Sequence, residues 1–155
     1  MRAYADSSYL VRLIGKEARS EEAISEYRRL GLPRLYYLPL HSLEVENAIR
    51  QRVHHQKQTL PSRERRQIMR QRDEVISRLS RLLARKHFLE VMIDWDATVT
   101  RARKLSEGYT EQFGARSFDL LHVAFALELK CEVFFTTDSR QAQIARAEGL
   151  KVVST

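Results

Sequence analysis

At 155 residues the chain is expected to form a single domain, and with 43% hydrophobic residues it can bury a core. Its one cysteine, Cys131, excludes an internal disulfide and fits a reducing compartment. The 27 Lys and Arg against 20 Asp and Glu leave a formal charge of +7, a balance that favours polyanions such as nucleic acid. The opening MRAYADSSYLVRLI lacks an uninterrupted apolar run and reads as mature structure, not a signal peptide. No stretch has the length of a transmembrane helix, so the expectation is a soluble, cytoplasmic protein.

Taken in order, Ala3, Tyr4 and Ala5 suit a short first strand with Asp6 at its end. Asp6-Ser7-Ser8 then opens a helix through Tyr9, Leu10, Val11, Leu13 and Ile14, stopped by Gly15. Ser20 is expected to cap a second helix, which Gly31 and Pro33 close. Leu35–Leu38 is the second strand, and Ser42 is a candidate cap for the helix that carries Glu44. From Arg50 to Lys86 the character changes. QRVHHQKQ is polar and basic, Pro61-Ser62 marks a break, and Arg63–Lys86 reads as a long amphipathic helix. Its expected buried stripe is Ile68, Met69, Val75, Ile76, Leu79, Leu82 and Leu83. Arginines 63, 65, 66, 70, 72, 78, 81 and 85 occupy the rest, and the plain reading is a solvated face. We expect a helical hairpin inserted at about 50–86 of one 1–155 domain.

Phe88–Ile93 is the third strand, and Asp94 caps the helix after it. Gly108 and Gly114 are expected to bound a loop that delivers Arg116. Ser117 is the expected N-cap of the next helix, with Asp119 in its first turn and Leu120, Leu121, Val123, Ala124 and Leu127 on its apolar face. Val133, Phe134 and Phe135 form a strand buried on both faces. Thr136, Thr137 and Asp138 end it, a last helix closes at Gly149, and Leu150–Val153 is the final strand. Strands and helices alternate along the whole chain. That predicts an α/β fold, an αβα sandwich around a mostly parallel sheet.

No glycine-rich phosphate loop and no zinc spacing occur. Four acids stand out: Asp6, Glu44, Asp119 and Asp138 each lie at a strand end or just inside the following helix. Singly, each has an ordinary explanation as a helix cap or a complement to the helix dipole. Together, on adjacent parallel strands, they would converge on one rim, where ligands bind in open α/β sheets. Clustered carboxylates repel, so some must be protonated or share a cation. Hard oxygen ligands without Cys or His suit Mg²⁺ or Mn²⁺. An acidic rim on a basic protein is consistent with metal-assisted hydrolysis of nucleic acid.

Four stretches, YADSSYLVRLI, LEVENAI, RSFDLLHVAFALELK and VFFTTDSRQAQIARAEGLKVV, lie in an order that resembles a PIN domain. The likeness is close to the VapC-type toxin ribonucleases of toxin–antitoxin pairs. It implies Mg²⁺- or Mn²⁺-dependent cleavage of RNA, a homodimer and inhibition by a cognate antitoxin protein. It also implies that Asp6, Glu44, Asp119 and Asp138 are the catalytic and metal-holding acids. Glu46 competes with Glu44, but its spacing to Asn47 fits less well. Ser7 or Ser8 matches the small hydroxyl after the first acid, and Thr137 the one before the last. Arg116 would orient carboxylates or meet a phosphate oxygen. His122, one turn past Asp119, is expected to be hydrogen-bonded within the fold. Two further readings stay open: an RNA-processing nuclease, and a non-catalytic module binding RNA or a partner.

Overall fold

A computed structural model of the chain describes residues 1–16 and 18–155. Its sheet is built from β1 (Ala3–Ala5), β2 (Leu35–Tyr37), β3 (Phe88–Glu90), β4 (Val133–Thr136) and β5 (Lys151–Ser154). Every pairing is parallel, in the order β3-β2-β1-β4-β5. Among the described residues seven helices surround it: α1 (Ser7–Ile14), α2 (Ser20–Arg29), α3 (Pro39–Thr59), α4 (Ser62–Ala84), α5 (Trp95–Phe113), α6 (Ser117–Glu128) and α7 (Ser139–Ala147).

Strand side chains alternate between two cores, as a pleated sheet requires. Ala3, Ala5, Leu35, Tyr37, Phe88, Val133 and Phe135 face a layer with Leu10, Ile14, Ala23, Val45, Ile49 and Leu79 from α1 to α4. Tyr4 and Phe134 face the other way, onto Leu105, Leu120, Val123, Phe125 and Ile144 from α5, α6 and α7. The expected αβα sandwich is therefore borne out, with a sheet that is parallel throughout.

Several boundaries differ from expectation, each for a local reason. The helix carrying Glu44 starts at Pro39, not at Ser42. Pro39 presets the first turn, and Nδ1 of His41 accepts the Leu38 N–H at 2.9 Å, so no serine cap is needed. That helix then runs unbroken to Thr59, so the polar QRVHHQKQ stretch is its second half. The hairpin is α3 packed on α4, joined across Leu60 and Pro61. Within α4, Ile68 and Leu79 are buried and Val75, Ile76, Leu82 and Leu83 pack partly, while Met69 is exposed. Arg19 stands at the cap of α2, so Ser20 is its first helical residue. Likewise Arg116, not Ser117, is the cap of α6. The third strand stops at Glu90, short of Ile93, and the last is Lys151–Ser154 rather than Leu150–Val153.

The largest departure is at Gly108. No loop runs from Gly108 to Gly114, because α5 continues through Gly108 to Phe113. Gly114 alone makes the turn, in the left-handed region at φ +66°, which glycine adopts at little steric cost. Only Gly114, Ala115 and Arg116 separate α5 from α6.

Candidate active site

In this strand order the chain winds outward in both directions from the β1–β4 pair. Ligands of open α/β sheets bind beyond the carboxyl ends of the strands at such a reversal. A cavity of about 240 Å³ lies there, lined by Asp6, Ser7, Ser8, Glu44, Phe118, Asp119, His122, Thr137, Asp138 and Gln141. The four acids singled out by position, from four different elements, thus share one cavity. Arg116 and Glu46 are not among its lining residues. Glu46 instead pairs with Arg50 at 2.8 Å, one turn on along α3.

Each acid is held differently. Asp6 ends β1, caps α1 through Tyr9 N–H, and is 1% exposed. Its Oδ1 also accepts the Ser8 hydroxyl at 2.8 Å, and its Oδ2 the Thr136 hydroxyl at 2.6 Å. Burial pushes its pKa up, and His122 with the Thr136, Tyr9 and Ser8 bonds draws it only partly back. Glu44, on the second turn of α3, accepts at Oε2 from Ser7 at 2.6 Å and lies 2.9 Å from His122 Nε2. Burial pushes Glu44 up as well, but the bond to His122, its charge and the Ser7 bond outweigh that and leave it below the ordinary value.

Asp119 accepts the Arg116 backbone N–H at Oδ2 and the Gln141 side-chain N–H at Oδ1, at 2.9 and 3.2 Å. Asp138 caps α7 by accepting the N–H groups of Arg140 and Gln141. Arg140 also donates from Nη2 to Asp138 Oδ2 at 2.8 Å, and its Nε stands 3.8 Å from Asp119 Oδ2. Burial raises Asp138, but the Arg140 bond and the two N–H groups hold it below the ordinary value.

The arginine that approaches the acids is therefore Arg140. Arg116 reaches Asp119 only with its backbone N–H, and its side chain is exposed. Thr136, Arg140 and Gln141 were absent from the sequence reading of the site. Thr136 is fully buried and bridges the Asp138 N–H to Asp6, while Thr137 meets the Ser8 hydroxyl at 2.6 Å. One signal was available: Arg140 and Gln141 follow Asp138 at the two and three residue spacing of a first helical turn, where side chains fold back toward the cap.

The donor set bears on a metal ion. Among the described residues no three of His, Cys, Asp or Glu are grouped so as to hold one between them. Mg²⁺, however, keeps several waters and commonly takes only one or two carboxylates directly. The cavity also holds a buried acceptor, Gln141 Oε1, with no hydrogen-bond partner. Four carboxylates and three hydroxyls in the lining, beside an acceptor without a donor, fit a hydrated hard cation, not a bare ion in a closed cage.

Fold and cavity together define an α/β domain with an acidic site at the reversal of a parallel sheet. A profile of the PIN domain matches residues 3–147, and the chain belongs to the PIN domain family. PIN domains are in general nucleases. A search of curated proteins finds no match for the chain. No helix among the described residues is long and apolar enough to cross a membrane.

Proposed function

We propose that the chain is a Mg²⁺- or Mn²⁺-dependent endoribonuclease and the toxin of a VapBC-type pair. The observation that carries the reading is the convergence of Asp6, Glu44, Asp119 and Asp138 on one cavity of a PIN domain. Asp6 and Asp119 are the acids that would hold the ion, with Glu44 and Asp138 completing the charge around it. When bound, such an ion supplies acidified water and a positive charge against the phosphodiester.

The protein's own groups prepare that chemistry. Thr136 and Ser8 fix both oxygens of Asp6, Ser7 fixes Glu44, and Arg140 keeps Asp138 ionised. Gln141 Oε1, buried and without a partner, would accept a hydrogen bond from a water on the ion. The exposed Arg116 side chain, beside Asp119 at the start of α6, meets a backbone phosphate of the RNA. Partners follow from the same reading: a cognate antitoxin, and a second copy of this chain, for which exposed Met92, Trp95 and Val99 offer apolar surface.

Cleavage of single-stranded RNA by wild type and Asp119→Asn, with Mg²⁺ and with excess EDTA, tests the proposal. We expect EDTA to abolish cleavage and Asp119→Asn to lower kcat by roughly 100-fold or more, with an unchanged circular dichroism spectrum. Equal cleavage in all four conditions sinks the metal-dependent mechanism. Tight RNA binding by wild type without turnover makes the chain a binding module. An adjacent reading frame for a small antitoxin separates a toxin from an RNA-processing nuclease.

A further inference from the structure

Behind the acidic cavity three polar side chains are joined in series. Tyr4 is fully buried on β1, and its hydroxyl lies 2.8 Å from Nδ1 of His122. The opposite ring nitrogen, Nε2, lies 2.9 Å from Oε2 of Glu44. An ionised carboxylate only accepts, so Nε2 carries a hydrogen toward Glu44. Among the described residues the Tyr4 hydroxyl has no other hydrogen-bond partner, and it can accept from a protonated Nδ1 or donate to a bare one, so it holds that side of the ring in either state.

The rings are held by stacking on both sides. Tyr4 stacks on Phe134 at 5.8 Å and 8° between planes. His122 stacks on the fully buried His41 at 5.6 Å and 24°, with Phe125 edge-on at 6.3 Å. His41 itself is kept neutral by burial and by the neighbouring His122, and its Nδ1 is taken by the Leu38 N–H. His122 therefore has little freedom to turn away from Glu44.

We propose that Tyr4 and His122 are positioning residues: Tyr4 orients the His122 ring so that it holds Oε2 of Glu44 and leaves Oε1 for the cavity. Glu44 Oε1 takes no hydrogen bond among the described residues. The inference rests on the nuclease reading of the cavity, in which Glu44 must present one oxygen at a set angle. Partners of this kind orient functional groups in metal sites generally.

Tyr4→Phe tests it, because the ring and its stack survive and only the hydroxyl is removed. In the metal-free wild type, imidazole ¹⁵N NMR should show His122 with a hydrogen on Nε2 and a hydrogen-bonded Nδ1. In Tyr4→Phe the Nδ1 resonance should lose that bond while Nε2 keeps its hydrogen toward Glu44. RNA cleavage by Tyr4→Phe should fall roughly 10- to 100-fold in kcat with KM nearly unchanged. His122→Gln, which keeps an N–H for Glu44, should retain more activity than His122→Ala. A bare Nε2 in wild type, or wild-type kcat in Tyr4→Phe, overturns the assignment. If wild type cleaves no RNA but the Nδ1 hydrogen bond is present and is lost in Tyr4→Phe, the nuclease reading falls and the positioning of the ring stands.

Discussion

The acidic cavity and the arginine-rich hairpin are both crowded with charge, yet they are built in opposite ways. In the cavity, short bonds join residues far apart in sequence: Ser7 to Glu44, Thr136 to Asp6, Gln141 to Asp119. On the hairpin, several charged side chains meet sequence neighbours, Glu46 with Arg50, Arg72 with Asp73 and Arg81 with Ser77, while Arg78 reaches the Ile14 carbonyl at 3.0 Å. Contacts of the second kind form wherever the helix forms and carry about 0.2–1 kcal/mol each. The first kind exists only once the sheet and the helices packed on it are assembled. A site that must hold several carboxylates in one geometry is thus anchored on rigid strand ends, while the hairpin keeps its charge solvated.

Removing one hydroxyl from each region should expose this contrast most visibly. Thr136→Val keeps the side-chain shape but leaves Asp6 Oδ2 and the Asp138 N–H without their shared partner. Buried groups left unsatisfied cost about 1–3 kcal/mol, more when one is charged. We expect Thr136→Val to unfold at clearly lower urea and to lose most RNA cleavage. Ser77→Ala removes a hydroxyl that accepts from Arg81 on the exposed face of α4, and should stay within about 0.5 kcal/mol of wild type. Equal midpoints for the two variants would erase the distinction.

A smaller effect, of opposite sign, is expected at Asp6. Its folded pKa is raised by burial above the unfolded value, so folding disfavours its ionised form. That disadvantage is in force above the folded pKa and disappears as pH falls through it toward the unfolded value. Asp6→Asn lacks the buried charge altogether. In EDTA its melting temperature should gain on that of wild type as pH rises from the acid side toward pH 7. The gap should close as pH falls into the carboxylate range, even though cleavage is abolished at every pH. Asp138 provides the contrast, since its pKa is lowered and its contribution to stability is lost on acidification. A gap at Asp6 that widens on acidification would contradict the burial argument.

The sequence reading reached different depths in these two regions. Strands such as Val133–Thr136 were legible because apolar residues fill both faces, and the acids because they follow strand ends. Thr136 and Arg140 were not, because their value lies in contacts with Asp6, 130 positions away, and with Asp119. Arg116 is near Asp119 along the chain, yet it reaches that acid only with its backbone N–H, and its side chain is exposed. Gly108 failed for a simpler reason. Glycine is a common loop signal, but a single one inside a long amphipathic pattern is tolerated at a cost of about 1 kcal/mol. α5 absorbs it, packing Ala102 and Leu105 against the core.

The smallest effect on stability belongs to the hairpin, and it is the sharpest test of what that surface does. Arg65, Arg66 and Arg70 are exposed on α4, and no ion pair engages them among the described residues. Replacing all three by Ser should therefore change unfolding free energy by under about 0.5 kcal/mol per site. If the hairpin guides RNA toward the cavity, these cations neutralise phosphates and release counterions. The dependence of log K on log salt should then flatten by roughly 0.7 for each single-strand phosphate that is no longer neutralised. Cleavage at saturating RNA should stay near wild type, because none of the three lines the acidic cavity. An unchanged salt slope would assign this surface to a protein partner instead. In that case an acidic antitoxin segment should protect the α3–α4 face from amide exchange in the wild type and fail to do so in the triple variant.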